Sequence, residues 1–187
     1  MYGLVNKAVQ GLITKEFGEE KWNEIKTKAG FEDEIFVSMQ KYDDSITYNL
    51  VGAASEVLNV SGEDLLEAFG EYWVLYTAEE GYGEMLDMAG STFVEFLGNL
   101  NHLHMRVGDV MPDLEPPSFE VETISECELR LYYSSKREGL NPMVLGLVKG
   151  LGKRFDVKDL NVVLEETNVE GEILKNTFKV FWGNNQT

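Results

Sequence analysis

The spacing of apolar residues changes near residue 111, and this change limits the chain to a small set of folds. Before it, as in residues 2–17, apolar side chains recur every three or four positions, which is typical of amphipathic helices. Pro112 and the pair Pro116–Pro117 then interrupt the helical pattern, since proline cannot continue a helix interior. Beyond them apolar and polar residues alternate, as they do in strands. Helices followed by strands predict an α+β fold.

The predicted elements divide the chain into a helical part, about 1–110, and a sheet-containing part, about 111–183. Predicted helices cover residues 2–17, 19–29, 48–58, 61–77, 82–88, 91–109 and 142–155, the last of them inserted among the strands. Predicted strands cover residues 119–122, 129–132, 162–166 and 173–182, with Asn168 and Gly171 in the turn before the last strand. We therefore expect one domain, 1–187, in which a helical N-terminal subdomain packs on a C-terminal antiparallel sheet.

The composition argues against several classes of partner. The chain of 187 residues carries a formal net charge of −17, which disfavours binding to nucleic acid and to anionic membrane surfaces. Its single cysteine, Cys127, cannot form an intrachain disulfide, which fits a reducing compartment. The sequence shows neither a signal peptide nor a run of about 20 apolar residues. We expect a cytoplasmic protein.

The two histidines of the chain, His102 and His104, differ in their surroundings on the predicted helix. Because helical residues two positions apart point about 200° away from each other, they cannot share one metal ion. His104 falls near the middle of an apolar stripe, whereas His102 faces the polar side. The stripe consists of Phe93, Phe96, Leu97, Leu100 and Val107. A buried imidazole without a partner costs about 1–3 kcal/mol. Its partner is either iron or, more commonly, a backbone carbonyl.

A second polar group follows one predicted strand. If the strand persists, Tyr133, Ser135 and Arg137 project from the same face, since side chains two positions apart do so. Arginine can bind a carboxylate through two hydrogen bonds, and both hydroxyls can donate to it. The two propionates of haem are carboxylates of this kind. The alternative is a solvated turn, which is the usual role of a polar segment at a strand end.

In combination these motifs resemble the H-NOX family. Its members are haem–nitric oxide/oxygen binding domains, found in bacterial gas sensors and at the start of soluble guanylate cyclase. The matching segments occur in the family's order and extend over nearly the whole chain, to about Trp182. They are Met1–Asn6, Leu50–Ser55, Phe69–Glu71, Gly81–Tyr82, Leu100–His104, Pro116–Phe119, Tyr133–Arg137 and Leu145–Leu147.

The resemblance implies a haem b group between the two subdomains and assigns roles to particular residues. His104 would be the proximal iron ligand, and Pro117 would press on the porphyrin and distort it. Leu100, on the stripe of His104, would also contact the cofactor. The propionates would be held by Tyr133, Ser135 and Arg137.

The residues expected in the distal pocket bear on which gas is bound. Oxygen-binding members of the family place a tyrosine there, whereas this chain has Met143 or a near neighbour, and neither Val144 nor Leu145 can donate a hydrogen bond. Losing such a bond to a charged acceptor costs about 1.5–3 kcal/mol, roughly ten- to a hundredfold in affinity. We therefore expect nitric oxide and carbon monoxide to bind and oxygen to be excluded. Trp73 is expected as apolar lining, although its indole could donate, and Tyr2 is a second candidate donor.

The expected function is a sensor that is not itself an enzyme. Gas binding would release His104 and so signal to a partner in trans, such as a histidine kinase or a cyclic-nucleotide enzyme, unless the chain is a fragment of a longer protein. One alternative is a haem enzyme of the peroxidase type, but the sequence shows no distal acid–base group for it. The other alternative is a cofactor-free interaction domain in which His104 is a core residue.

Overall fold

The structure is a computed structural model that describes residues 1–31 and 35–183. It has the expected α+β architecture. The helices are α1 (Gly3–Phe17), α2 (Glu19–Ala29), α3 (Asp44–Leu58), α4 (Gly62–Thr77), α5 (Gly83–Asp87), α6 (Phe93–Gly98), α7 (Leu100–Val110) and α8 (Asn141–Arg154). The strands are β1 (Ser118–Ser125), β2 (Glu128–Ser135), β3 (Asn161–Glu170) and β4 (Ile173–Phe181). The strands form one antiparallel sheet in the order β1-β2-β4-β3.

Helix α3 begins earlier than the apolar spacing predicts, because a capping residue lies upstream. Its first residue is Asp44 rather than Tyr48. The carboxylate of Asp43 accepts a hydrogen bond of 2.8 Å from the backbone amide of Ser45. This interaction satisfies one of the amides that a helix start leaves without an intrahelical partner.

The expectation of one continuous helix over residues 91–109 is wrong, because the helix is interrupted at Asn99 and forms two helices, α6 and α7. The backbone of Asn99 leaves the helical conformation (φ −99°, ψ 4°), and its side-chain amide donates to the carbonyl of Ala89 at 2.8 Å. Asparagine is prone to such side-chain bonds to nearby backbone groups. The start also moves by two residues, to Phe93, because the hydroxyl of Thr92 caps α6 by accepting from Glu95 N.

Two further local features differ from the expected pattern. A kink within Ala78–Tyr82 separates α4 from α5, and there Gly81 adopts a φ of 96°, a conformation open to glycine. Asn168 does not lie in the β3–β4 turn but within β3, opposite Lys175. The turn uses Gly171, whose φ is 63°.

The buried side chains form two clusters that meet along α4. One cluster contains residues of α1, α2 and α3, and Phe69 of α4 belongs to it. The other contains the inner face of the sheet together with residues of α5 to α8, and Val74 of α4 belongs to it. Helix α4 therefore joins the helical part of the chain to the part built on the sheet.

Helices α4 and α8 cross at very short distance because glycines line their contact. A Cβ atom on Gly146 would lie 1.8 Å from the carbonyl oxygen of Glu67, and one on Gly70 would lie 2.1 Å from that of Met143. Lys149 forms an ion pair with Glu67 across the same crossing. Only residues without a side chain allow this approach of two backbones.

Within residues 1–31 and 35–183, no helix combines the length and the apolar character needed to cross a membrane.

Candidate haem-binding site

A cavity of about 300 Å³ lies where the two buried clusters meet. This volume is at the lower end of the range found for ligand pockets, about 300–1,000 Å³, and most of the wall is apolar. The cavity brings together all of the residues that the sequence singled out for the cofactor. They are Tyr2, Trp73, Leu100, His104, Pro117, Tyr133, Ser135, Arg137 and Met143.

His104 is largely buried and faces this cavity from α7. Its ring packs against the ring of Phe119, with 5.9 Å between the centroids. Its Nδ1 atom is buried and has no hydrogen-bond partner among the described residues. Burial lowers the pKa of His104 below its usual value, and the carbonyl of Pro117, which lies near the ring, opposes part of this change. The imidazole is therefore neutral at physiological pH, which is the form that binds iron.

The orientation of His104 depends on how α7 is attached to the sheet. The side chain of Asn101 makes two hydrogen bonds to the backbone of Phe119 on β1. Its amide donates to the carbonyl at 2.7 Å, and its oxygen accepts from the backbone amide at 2.9 Å. This pair of bonds fixes α7 on the edge strand, so the following turn of the helix presents His104 to the cavity.

The expected polar row is present, although only part of it lies on a strand. Tyr133 and Ser135 are buried on the inner face of β2, but the strand ends at Ser135, so the expectation of Arg137 on the same strand is wrong. Arg137 reaches the cavity from the following loop, where its backbone amide donates to the hydroxyl of Ser135 at 3.0 Å. The cation and the two hydroxyls still meet at one end of the cavity.

Two residues of α3 at this end of the cavity were missed by the sequence analysis: Tyr48, which lines the cavity, and Asp44, which pairs with Arg137. Arg137 donates from Nε to the carboxylate of Asp44 at 2.7 Å and from a terminal nitrogen to the carbonyl of Glu115 at 2.7 Å. The hydroxyl of Tyr48 donates to the carbonyl of Glu138 at 3.0 Å. No local signal marked them, because α3 contacts the loop after β2 only in the folded chain.

Asp44 should stabilise the protein in a pH-dependent way. Burial raises its pKa, but hydrogen bonds from the Met1 amine and from Arg137 outweigh this, so the pKa lies below the usual value of 3.8. As the pH falls through 3.8, the unfolded chain binds the proton first, so the stabilisation is present above that pH and is lost below it. We expect Asp44→Asn to lower the free energy of unfolding at pH 7.

The difference between wild type and Asp44→Asn should shrink as the pH approaches 3.5, in urea unfolding followed by circular dichroism. The matched test is a double-mutant cycle with Arg137→Met, whose effect should not add to that of Asp44→Asn. A difference that stays constant with pH would show that the carboxylate charge is not responsible.

Trp73, Met143 and Tyr2 all line the cavity. Trp73 packs between Phe69 and Tyr76, at 5.9 and 6.4 Å between ring centroids. The hydroxyl of Tyr2 accepts a hydrogen bond of 3.0 Å from the backbone amide of Asp113, in the loop between α7 and β1. It is thus directed toward the segment that leads to Pro117.

Comparison with solved structures places the fold among H-NOX domains. A structure described as giving insights into the mechanism of H-NOX activation superposes with a TM-score of 0.87 at 18% sequence identity, covering 98% of this chain and 97% of that one. A crystal structure of an oxygen-binding H-NOX domain related to soluble guanylate cyclases gives a TM-score of 0.83 at 18% identity, covering 98% of this chain and 96% of that one. The fold is therefore that of an H-NOX domain.

Sequence comparison agrees with the fold. The family model described as Haem-NO-binding matches residues 2–163. Soluble guanylate cyclase gcy-37 of Caenorhabditis elegans is 34% identical over 173 residues, which is 91% of this chain and 24% of that protein. Soluble guanylate cyclase 89Db of Drosophila melanogaster is 25% identical over 169 residues, which is 90% of this chain and 25% of that protein. The chain belongs to the Haem-NO-binding (H-NOX) family, and it spans about a quarter of the length of these relatives.

Proposed function

We propose that this domain binds haem b through His104, senses nitric oxide and carbon monoxide while excluding oxygen, and signals by release of His104. The observation that carries the proposal is the largely buried, neutral imidazole of His104, which faces an apolar cavity whose wall also contains Tyr133, Ser135 and Arg137. A neutral imidazole that faces such a cavity is available to bind iron.

The residues around the cavity suit the remaining parts of haem. Tyr133, Ser135 and Arg137 form a cationic, hydroxyl-rich end that fits carboxylates, and Leu100 and Pro117 supply apolar contacts to the ring. When bound, haem supplies a ferrous iron with an axial position open to a diatomic gas. Nδ1 of His104, beside the carbonyl of Pro117, is then free to orient the imidazole, as an outer-shell hydrogen bond does in other metal sites.

The proposed selectivity for nitric oxide rests on Met143, which cannot donate a hydrogen bond to bound oxygen. Among the tyrosines that line the cavity, Tyr48 donates its hydroxyl proton to the carbonyl of Glu138. The hydroxyl of Tyr2 accepts from the backbone amide of Asp113, so its own proton is not used by this bond and Tyr2 remains a second candidate donor. Trp73 contributes its ring to the apolar lining, as we expected from the sequence.

Absorption spectra of the reduced protein, alone and under each gas, test the function directly. We expect a Soret band in the purified protein, a changed spectrum with nitric oxide and with carbon monoxide, and no stable oxygen complex in air. Under nitric oxide the spectrum should show that the axial histidine ligand is lost. A protein without a Soret band would favour the cofactor-free alternative, and rapid peroxide turnover would favour the peroxidase alternative.

Adding a hydroxyl to the cavity should enable the domain to bind oxygen. We expect Met143→Tyr to raise oxygen affinity about ten- to a hundredfold, the value of one hydrogen bond to a charged acceptor. The measurement is oxygen titration of the reduced protein followed by absorption. Met143→Phe is the matched control, since it adds the ring without the hydroxyl and should leave oxygen affinity unchanged. Equal oxygen binding by both variants would mean that Met143 does not border the gas.

We propose a cyclic-nucleotide enzyme as the partner that receives the signal, either in the same chain or in trans, with a histidine kinase as the second candidate. The relatives named above are soluble guanylate cyclases, and the segment that matches this chain is about a quarter of each. Co-purification with each candidate, with and without nitric oxide, distinguishes the two.

A further inference from the structure

A series of contacting aromatic rings leads from the cavity toward the surface along α4. Trp73 lines the cavity, and its ring centroid is 6.4 Å from that of Tyr76. Tyr76 is buried, and its centroid is 5.7 Å from that of Tyr72. Tyr72 is half-buried, with the ammonium of Lys15 at 5.5 Å from its centroid. The three rings thus form one path from the cavity wall to solvent.

The charges around the outer end of this path favour loss of an electron there. Burial is the largest cause that raises the pKa of the Tyr72 phenol, and the carboxylates of Glu79, Glu80 and Glu16 add to it through their negative potential. The same potential stabilises removal of an electron from the ring, although the ammonium of Lys15 offsets part of it. Because Tyr72 is partly exposed, its phenolic proton can pass to water or to one of these carboxylates.

Indole and phenol are among the side chains that lose one electron most readily, and contact between rings allows an electron to move from each ring to the next. We propose that Trp73, Tyr76 and Tyr72 form an electron-transfer path that carries oxidising equivalents from the haem cavity to Tyr72. The path would protect His104 and the cofactor from peroxide. This inference rests on the haem-binding part of the proposed function but not on the choice of gas.

The overall reaction balances with hydrogen peroxide as the oxidant. Each tyrosine phenol gives up one electron along the path and one proton to its surroundings, and becomes a neutral tyrosyl radical. Two phenols, from two protein molecules, therefore reduce one peroxide to two waters, and the O–O bond is the bond that breaks. Trp73 and Tyr76 each lose and regain one electron and are unchanged at the end.

The test is electron paramagnetic resonance of the haem-loaded protein, frozen rapidly after mixing with hydrogen peroxide. We expect a tyrosyl radical in the wild type and its loss in Tyr72→Phe. Tyr76→Phe and Trp73→Phe should also lower its yield, although both leave Tyr72 in place. In all three variants the Soret band should bleach faster under peroxide, because the oxidant then stays in the cavity.

Tyr132→Phe serves as the matched control, because it removes a phenol whose hydroxyl bonds to Glu122 on the exposed face of the sheet. This change should not alter the radical. A signal that persists in Tyr72→Phe, or that disappears in Tyr132→Phe, would overturn the inference. If the Soret band is present and no radical forms, the inference fails while haem binding stands, and if the Soret band is absent, the proposed function itself has failed.

Discussion

His104→Gly should lose the haem spectrum of the wild type, and added imidazole should restore it. The variant removes the one imidazole that faces the cavity, so iron would keep the porphyrin nitrogens but lose its protein ligand. Loss of an outer-shell partner alone lowers metal affinity about 10–100-fold, so loss of the ligand itself should cost more. The measurements are haem content after purification and the absorption spectrum of the reduced protein.

His102→Gly is the matched control for this experiment. His102 lies two residues away on the same helix, and its ring is exposed, with Nδ1 at 3.4 Å from the side-chain oxygen of Asn99. It introduces the same helix-destabilising glycine, so any general weakening of α7 should appear in both variants. Wild-type axial ligation in His104→Gly without imidazole would refute the assignment of the ligand.

Among glycine-to-alanine changes where two helices pack together, Gly146→Ala should cause the largest loss of stability. The new Cβ atom would lie 1.8 Å from the carbonyl oxygen of Glu67, and a backbone atom cannot move aside as a flexible side chain can. Overpacking of this kind costs about 3 kcal/mol. For a domain of this size the melting temperature should fall by about 6–12 °C. Differential scanning calorimetry measures the change.

Gly52→Ala makes the same chemical change, but we expect it to raise the stability of the protein. Gly52 is exposed within α3, and a Cβ atom there would meet nothing within 4 Å. Alanine should therefore stabilise the protein by about 0.5–1 kcal/mol, because glycine loses more backbone entropy on folding. If both variants melt at similar temperatures, α4 and α8 are not as close in solution as the structure has them.

The fold could be predicted from the sequence where periodicity and caps agree. Helix α2 ends just before Gly30 and α4 begins just after Ser61. Glycine is favoured at the end of a helix and serine at its start. The break at Asn99 was not predictable, because it depends on a bond to Ala89, ten residues earlier, that exists only in the folded chain. The kink before α5 was not predicted either, since apolar spacing does not show at which residue the backbone leaves the helical conformation.

The sequence predicted those residues of the candidate site whose side-chain type and local pattern already indicate a role. An imidazole in an apolar stripe and a Tyr-x-Ser-x-Arg segment are visible before folding. Asp44 and Tyr48 are not, because a carboxylate and a phenol on an exposed helix surface resemble ordinary solvated residues until the loop after β2 is placed beside them. The residues missed are thus those whose role comes from a contact between distant segments.

The two hydrogen bonds between Asn101 and Phe119 have a mechanical consequence. They join the helix that carries His104 to β1, which lies at the edge of the sheet and has a neighbouring strand on one side only. If the imidazole is released, α7 can shift along its axis only by breaking both bonds or by pulling β1 with it. The edge of the sheet, rather than its centre, would then be the first part of the domain outside the cavity to move when a gas binds.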